Sequence, residues 1–247
     1  MDKRIRVGAV SYLNTRPLLF GLHRSGLMDR IELVEDYPSR IAEMLLANEI
    51  DTGLVPVAIL PRMTESHIIT DYCIGADGEV ASVAIFSEVP MERINRVLLD
   101  YQSRTSVNLA RILVKDYWRK EVIWEDAGKD FRERIKGDTA GVVIGDRALE
   151  QRRISPYIYD LGAAWKTYTG LPFVFAAWIA NKELPADFLD AFNRANAYGL
   201  RHLPEVLAAY PYEVYDLSTY YSRNIQYHLD APKRAGLSLF LEKLGGK

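Results

Sequence analysis

The sequence predicts an α/β protein of two lobes, each a mainly parallel sheet flanked by helices, with a ligand cleft between them. Three observations support this fold class. Strand and helix patterns alternate through the first third of the chain, as they do where parallel strands are joined by helical crossovers. The alternation restarts after an apolar run at Val80–Val89. A second run, Leu171–Ala180, is followed by helical patterns alone.

The first lobe is predicted to open with a strand, a short polar loop and a helix. The apolar run Ile5–Val10 stops at the polar group Ser11–Arg16. Pro17 suits the first turn of the helix that follows, because its missing N–H would be unpaired there anyway. The next predicted elements are a strand at Ile31–Val34, a helix at Ser39–Ala47 and an almost continuously apolar strand at Thr52–Val57.

The second lobe repeats the alternation. Its predicted elements are a strand at Val97–Leu99, a helix near Arg104–Trp118, and strands at Val122–Trp124 and Gly141–Ile144.

Three helices are predicted in the last quarter of the chain. One opens at Pro185 and carries Phe188, Leu189, Phe192 and Ala195 on a single face, and the others cover Tyr215–Leu229 and Ala231–Leu244.

The two apolar runs are interpreted as the places where the chain crosses between lobes. We expect the crossings near Ala84–Glu88 and Phe175–Trp178. The predicted lobes are therefore residues 1–85 with 178–247, and residues 86–177.

Composition narrows the class of protein. The chain has 247 residues, 49% of them hydrophobic, which is enough for a large core. With 31 basic and 33 acidic residues, the net charge of −2 favours no nucleic-acid partner. The single cysteine, Cys73, excludes an internal disulfide and a multi-thiolate metal site. The run at Leu171–Ala180 is too short to span a bilayer, and no apolar signal segment precedes the first strand, so we expect a cytoplasmic protein without a membrane partner.

Several site chemistries have no motif in the sequence. It contains no GxGxxG after a strand, no phosphate-binding GxxxxGK[ST] and no GxSxG nucleophile turn. The four histidines are scattered without metal-ligand spacing: His23, His67, His202 and His228. We expect neither a cofactor nor a metal.

Three strand-to-helix junctions carry the candidate site residues, because ligands of open α/β sheets bind at the carboxyl ends of strands. The first is Ser11–Arg16, whose simpler interpretation is a polar turn capped by Thr15. At the second, Ser103 is a plausible N-cap that leaves the N–H groups of Arg104, Thr105 and Ser106 facing an anion. The alternative there is ordinary capping beside a solvated arginine. At the third, Asp146 is most simply an N-cap.

Aromatic side chains near the second apolar run have two possible roles, lining a cleft or packing in the core, of which packing is the commoner. A cleft rich in aromatics, hydroxyls and cations but poor in histidine suits a small anionic organic molecule. The residues concerned are Trp165, Tyr168, Phe173, Phe175 and Trp178.

Five ordered motifs resemble one family, the chorismate dehydratases of the futalosine route to menaquinone. They are VGAVSYLNTRPL at 7–18, SVAIFS at 82–87, DYQSRTSVNLARIL at 100–113, VIGDRAL at 143–149 and TGLPFVFAAW at 169–178. The resemblance implies a type II periplasmic-binding-protein-like fold. The sister dihydroxynaphthoate synthases share this architecture but typically open with a Ser-Pro-Asn-Asp-type segment, so SYLN favours the dehydratase.

The resemblance also implies the chemistry. The substrate would be chorismate, a dicarboxylate that loses water to give 3-[(1-carboxyvinyl)oxy]benzoate without a metal or redox cofactor. Asn14 occupies the position matched to catalysis, yet a neutral amide is a poor base. It would therefore either orient a base supplied by the substrate's own carboxylate, which we favour, or take part directly. The substrate-binding residues that we expect are Ser11, Tyr12, Arg16, Ser82, Ser103, Arg104, Thr105, Ser106 and Asp146.

A second hypothesis remains open from the sequence. A non-catalytic binding protein or sensor for small anions, built on the same cleft, would need no general base. The sequence indicates no oligomeric state.

Overall fold

The computed structural model describes residues 4–245 as helices packed on two separate sheets. Nine helices are found in that range: α1 (Arg16–Arg24), α2 (Pro38–Leu46), α3 (Thr105–Ile112), α4 (Asp146–Gln151), α5 (Leu161–Thr169), α6 (Ala186–Arg201), α7 (Leu203–Ala209), α8 (Leu217–Thr219) and α9 (Ala231–Gly245). The strands are β1 (Ile5–Val10), β2 (Ile31–Asp36), β3 (Thr52–Pro56), β4 (His67–Ala76), β5 (Val83–Ser87), β6 (Arg96–Asp100), β7 (Ile123–Ala127), β8 (Thr139–Ile144), β9 (Tyr157–Asp160), β10 (Phe173–Ala180) and β11 (Gln226–His228).

The two sheets have the same construction. The first has the order β11-β4-β10-β3-β1-β2, and the second has the order β7-β6-β8-β5-β9. Each has a parallel part, in which β1 pairs with β2 and β3, and β6 pairs with β7 and β8. The strand that arrives from the other sheet, β10 or β5, runs antiparallel to both of its neighbours. The parallel character predicted from the sequence thus describes one side of each sheet.

The chain changes sheet at different residues from those predicted. β5 pairs entirely within the second sheet and β10 entirely within the first, so the expected crossings at Ala84–Glu88 and Phe175–Trp178 are wrong by several residues. The apolar runs are central strands, whose residues are buried along their whole length. The connections are residues 77–82 and 161–172, and we propose that the lobes divide there rather than at 85 and 178.

Several other predictions are corrected by long-range pairing. The helix predicted over Tyr215–Leu229 is instead the short α8, a π turn at Tyr220–Asn224 and the strand β11, which pairs with the edge of β4. β4, β9 and α5 were not predicted. The helix predicted near Arg104–Trp118 is confirmed as α3, continued by a π turn at Leu113–Tyr117.

Close packing of α1 on α6 fixes the helix that follows the first polar loop. A Cβ on Gly199 would lie 1.7 Å from the Pro17 carbonyl oxygen, and one on Gly21 would lie 1.8 Å from the Ala195 carbonyl oxygen. The two backbones can approach this closely only because both positions lack a side chain. The position of α1 therefore depends on α6, which is distant in sequence.

We predict that Gly199→Ala lowers the free energy of unfolding by about 1–3 kcal/mol, because the added methyl group overpacks the contact between α1 and α6. Denaturant unfolding followed by circular dichroism measures the change. Gly128→Ala is the matched control, since its Cβ would meet no heavy atom within 4 Å. Equal stability of the two variants would contradict the packing argument.

Candidate functional site

A cavity lies between the two sheets, where strands end and loops begin. Together with its open mouth it encloses about 440 Å³. Its walls are mostly apolar, with Val10 and Phe175 from the first sheet and Val83 and Ile144 from the second. Five of the predicted site residues line it: Tyr12, Asn14, Ser103, Thr105 and Ser106. The cavity therefore joins the first and second of the predicted junctions, and Gly145 at the third also lines it.

The backbone of the first junction is hydrogen-bonded on both sides of Asn14. The Asn14 carbonyl accepts a hydrogen bond from the Tyr227 hydroxyl at 2.9 Å, and the Leu13 N–H donates to Asp146 Oδ1 at 3.0 Å. Thr15 occupies the N-cap position of α1 as predicted, but its side chain makes no capping hydrogen bond, and its hydroxyl donates to Asn14 Oδ1 at 3.2 Å. The side-chain amide nitrogen of Asn14 has no acceptor within residues 4–245, so it is available to a ligand in the cavity.

The second junction presents hydroxyl groups at the start of α3. Arg104 occupies the N-cap position of α3, one residue after the predicted Ser103. Ser103 Oγ nevertheless accepts the Ser106 N–H of the first turn at 3.1 Å, so that N–H is unavailable to an anion. Thr105 Oγ1 accepts the Ala58 N–H at 3.1 Å, so its hydroxyl hydrogen is still free to donate. The Ser106 hydroxyl makes no hydrogen bond with the described part of the chain and faces the same cavity.

The third junction differs from its prediction. Asp146 is the first residue of α4, whose cap is Gly145, so the predicted N-cap role is wrong. Its carboxylate accepts the Leu13 N–H instead and ties the second lobe to the first polar loop. Gly145 has φ +66°, and a Cβ there would lie 2.6 Å from the Tyr12 ring. Only glycine allows the two loops to meet in this way.

A buried ion pair next to this contact was not predicted. One Arg147 nitrogen, Nη2, donates to both Asp100 carboxylate oxygens at 2.8 Å and to Gln102 Oε1 at 2.7 Å. Gln102 Oε1 also accepts the Tyr12 hydroxyl, so the pair is connected to the first lobe. Burial raises the pKa of Asp100, and the charge of Arg147 opposes that rise. Burial, reinforced by the charge of Asp100, holds the pKa of Tyr12 well above its usual value, so Tyr12 remains neutral.

Neither of the arginines proposed for the substrate carboxylates lines the cavity. Arg104 pairs with Glu43 at 2.9 Å and is 42% exposed. Arg16 pairs with Glu35 at 3.2 Å and donates to the Ser11 carbonyl at 3.1 Å. Both cations have partners on the first lobe, which sequence proximity to the site could not reveal.

Ser82 is fully buried immediately before β5, next to the cavity residue Val83. Its hydroxyl oxygen accepts from Tyr220 at 2.7 Å, and its carbonyl accepts the Gly145 N–H at 2.9 Å. Ala81, directly before it, has φ +63°, a rare conformation for a residue with a side chain. The Asp160 carboxylate stabilises that turn by accepting the N–H groups of Val80 at 3.1 Å and of Ala81 at 2.9 Å.

Most of the aromatic candidates have a packing role. Trp165, Phe173 and Trp178 are completely buried, and Trp178 donates to Asn196 Oδ1 at 2.9 Å. Only Phe175 of the group lines the cavity. Among residues 4–245, no three His, Cys, Asp or Glu side chains converge to hold a metal ion. Within the same range, no helix has the length and apolar character needed to cross a bilayer.

Comparison with known proteins identifies relatives over nearly the whole chain. A family model described as menaquinone biosynthesis matches residues 5–245. A chorismate dehydratase of Thermus thermophilus is 28% identical, with 97% of this chain and 94% of the relative covered. A chorismate dehydratase of Campylobacter jejuni is 28% identical over 75% of this chain and 72% of its own length.

Solved structures confirm the fold class. An Archaeoglobus fulgidus protein has a TM-score of 0.75 at 13% identity and covers 98% of this chain and 97% of its own. A Candida albicans protein described as having the generic periplasmic-binding-protein fold has a TM-score of 0.65 at 14% identity, covering 99% and 91%. The two-lobed fold of that class is therefore the fold of this chain.

We predict that Asp146→Asn changes how stability depends on pH. Burial raises the pKa of Asp146 to about 6, although the Leu13 N–H and Arg16 oppose the rise. The stability that this group contributes is complete below about pH 4, where the unfolded chain is also protonated, and is lost as pH rises to about 6. Asparagine keeps an oxygen for the Leu13 N–H but does not ionise. The variant should therefore gain about 2–3 kcal/mol relative to the wild type between pH 4 and pH 7.

Chemical denaturation across that pH range measures the difference. Asp160 also has its pKa raised to about 6 by burial. Because Asp160 is present in both proteins, its contribution cancels in the difference between their free energies of unfolding. Asp187→Asn is a control with the opposite sign, because Arg30 lowers the pKa of that carboxyl. Parallel stability curves for Asp146→Asn and the wild type would disprove the assignment.

Proposed function

Because the chain belongs to the menaquinone biosynthesis family, we propose that it is a chorismate dehydratase, a hydro-lyase that removes water from chorismate. The product is 3-[(1-carboxyvinyl)oxy]benzoate. The observation that carries the proposal is the convergence of Asn14, Thr105 and Ser106 on one mostly apolar cavity. Such a cavity suits a cyclic dianion, because apolar walls accept the ring while a few polar groups fix its orientation.

The hydroxyl groups at the start of α3 are assigned to binding the substrate carboxylates. Thr105 and Ser106 each have a hydroxyl hydrogen to donate, and the first turn of a helix favours negative charge. Ser82, Tyr12 and Ser103 complete the proposed set of contacts. Ser11 and Arg16 support the loop that carries Asn14, and Asp146 holds that loop in place. Arg104 is left out of the set, because it pairs with Glu43 away from the cavity.

The elimination needs one proton acceptor and help for a departing hydroxide. A ring C–H bond and the neighbouring C–O bond break, a C=C bond forms, and the proton and hydroxide leave as water. Aromatisation of the ring supplies a large driving force. Asn14 is neutral and is a poor base. We therefore assign the base to the substrate's own carboxylate, with the Asn14 amide orienting it and Ser82 donating to an oxygen of the substrate.

The partner of this protein is accordingly a small dicarboxylate. We also propose a cytoplasmic location. Its one cysteine, Cys73, is free and buried, so the fold requires no oxidising compartment.

We predict that the purified protein converts chorismate into the aromatic product, and that a chelator leaves the rate unchanged. Chromatography and mass spectrometry of the reaction mixture measure both. Tight binding of chorismate without turnover would instead favour a binding protein or sensor. Activity that disappears with chelator and returns with a divalent metal would contradict the mechanism.

We predict different kinetic effects for Asn14→Ala and Ser106→Ala. Asn14→Ala should lower mainly kcat, because it removes the group placed against the reacting carboxylate. Ser106→Ala, and likewise Thr105→Ala, should raise mainly KM by about 10- to 150-fold, the effect of losing one hydrogen bond to a charged group. The backbone N–H groups of Arg104 and Thr105 remain in the Ser106→Ala and Thr105→Ala variants, so neither of these two changes should abolish binding.

Steady-state kinetics with thermal melting of each variant tests the distinction. Ser238→Ala, on the exposed face of α9, is the matched control. Wild-type kcat in Asn14→Ala, or a loss explained by unfolding, would rule out the catalytic assignment.

A further inference from the structure

The segment that follows α8 carries two buried tyrosines whose hydroxyl groups reach both proposed reaction residues. Tyr220 is completely buried and donates to Ser82 Oγ at 2.7 Å. Tyr227 is 5% exposed and donates to the Asn14 carbonyl at 2.9 Å. Tyr220 lies in the π turn at Tyr220–Asn224 and Tyr227 lies in β11.

We propose that Tyr220 and Tyr227 are positioning residues for the elimination: Tyr220 directs the hydroxyl hydrogen of Ser82 toward the substrate, and Tyr227 fixes the backbone from which the Asn14 amide projects. This inference rests on the function proposed above. It assigns to the C-terminal segment a role that the motifs of the sequence do not indicate.

The argument for Tyr220 depends on which atoms of Ser82 are already bonded. The Ser82 N–H donates to the Val80 carbonyl at 2.8 Å, and the Ser82 carbonyl accepts from Gly145. The Tyr220 hydrogen occupies an acceptor position on Ser82 Oγ. Ser82 then has one hydrogen left to donate, and residues 4–245 offer it no acceptor. Because the next residue, Val83, lines the cavity, we assign that acceptor to an oxygen of the bound substrate.

Tyr220 is suited to the role of donor because it stays neutral. Burial raises its pKa well above the usual value. The phenol therefore keeps its hydrogen across the physiological range and remains able to donate it to Ser82.

The argument for Tyr227 depends on the rigidity of its support. β11 pairs with β4, a strand of the first sheet, and places the phenol against the Asn14 carbonyl. On the preceding residue, the Leu13 N–H is held by Asp146. The second lobe thus holds the Leu13 N–H and the first lobe holds the Asn14 carbonyl. The amide side chain of Asn14 is the part left free to bind.

Tyr220→Phe tests the proposal, because it removes one oxygen and keeps the ring that packs in the core. We expect kcat to fall by about 10-fold or more, as small errors of alignment do, with KM within about 2-fold. Tyr227→Phe should have a similar effect on kcat. Tyr221→Phe is the matched control, since the Tyr221 hydroxyl is buried in the next position of the same turn without a hydrogen-bond partner in the described chain. It should keep the wild-type kcat.

Combined variants separate positioning from packing. In a Ser82→Ala background, Tyr220→Phe should cause no further loss of kcat. In an Asn14→Ala background, Tyr227→Phe should cause no further loss either. Each tyrosine acts through the residue that has already been removed. Additive losses would overturn the proposal and indicate a packing role, as would a wild-type kcat in Tyr220→Phe and Tyr227→Phe. Failure of the wild type to convert chorismate would overturn the proposed function, whereas turnover that is insensitive to both tyrosine changes would overturn this inference alone.

Discussion

The buried carboxylate of Asp100 holds the functional face of this protein together. It lies at the end of β6 with its side chain fully shielded, and it accepts two bonds from Arg147 and the N–H groups of Gln102 and Ile144. A charge in such surroundings is tolerated only when it is paired and hydrogen-bonded. The hydrogen bonds that Asp100 accepts fix the ends of β6 and β8 and the start of α4 relative to one another. The loops facing the cavity therefore have little conformational freedom.

The same network carries the constraint across to the first lobe. Gln102 Oε1 accepts hydrogen bonds from both Arg147 and the Tyr12 hydroxyl. Asp146, the residue before Arg147, accepts the Leu13 N–H. The loop that contains Asn14 is therefore held by the second lobe, although α1 behind it packs on α6 of the first. A site assembled in this way places a free amide and free hydroxyl groups around one cavity while their backbones are held on several sides. Such preorganisation favours chemistry that depends on orientation more than on a strong base.

Sequence reasoning found the cavity-lining residues whose position after a strand or at the start of a helix is visible in the local pattern. Thr105 and Ser106 follow a strand and open a helix, and Asn14 stands at another strand end, so patterning alone places each of them at the carboxyl end of a strand, where ligands bind. It did not predict the contacts that join distant segments of the chain. Leu13 and Asp146 are 133 positions apart, Ser82 and Tyr220 are 138 apart, and Asn14 and Tyr227 are 213 apart. Hydrophobic periodicity does not reveal such a pair, and the local sequence does not distinguish a tyrosine that donates to a distant residue from one that only packs in the core.

The sequence by itself determined the class of the fold, many of the strands and helices, and the amide and hydroxyl groups that line the cleft, but not the arginines and most of the aromatics that were also expected there. These follow from hydrophobic spacing, proline and cap residues, and the residue types present, all of which act within a few positions. Tertiary structure alone decided where the chain changes sheet and that Asp146 binds the opposite lobe instead of capping α4. It also decided that Tyr215–Leu229 is a short helix, a π turn and an edge strand rather than one helix. The physical reason is the same in each case. Burial and hydrogen bonding to a distant segment outweigh local propensity, which is worth only about 1 kcal/mol per residue.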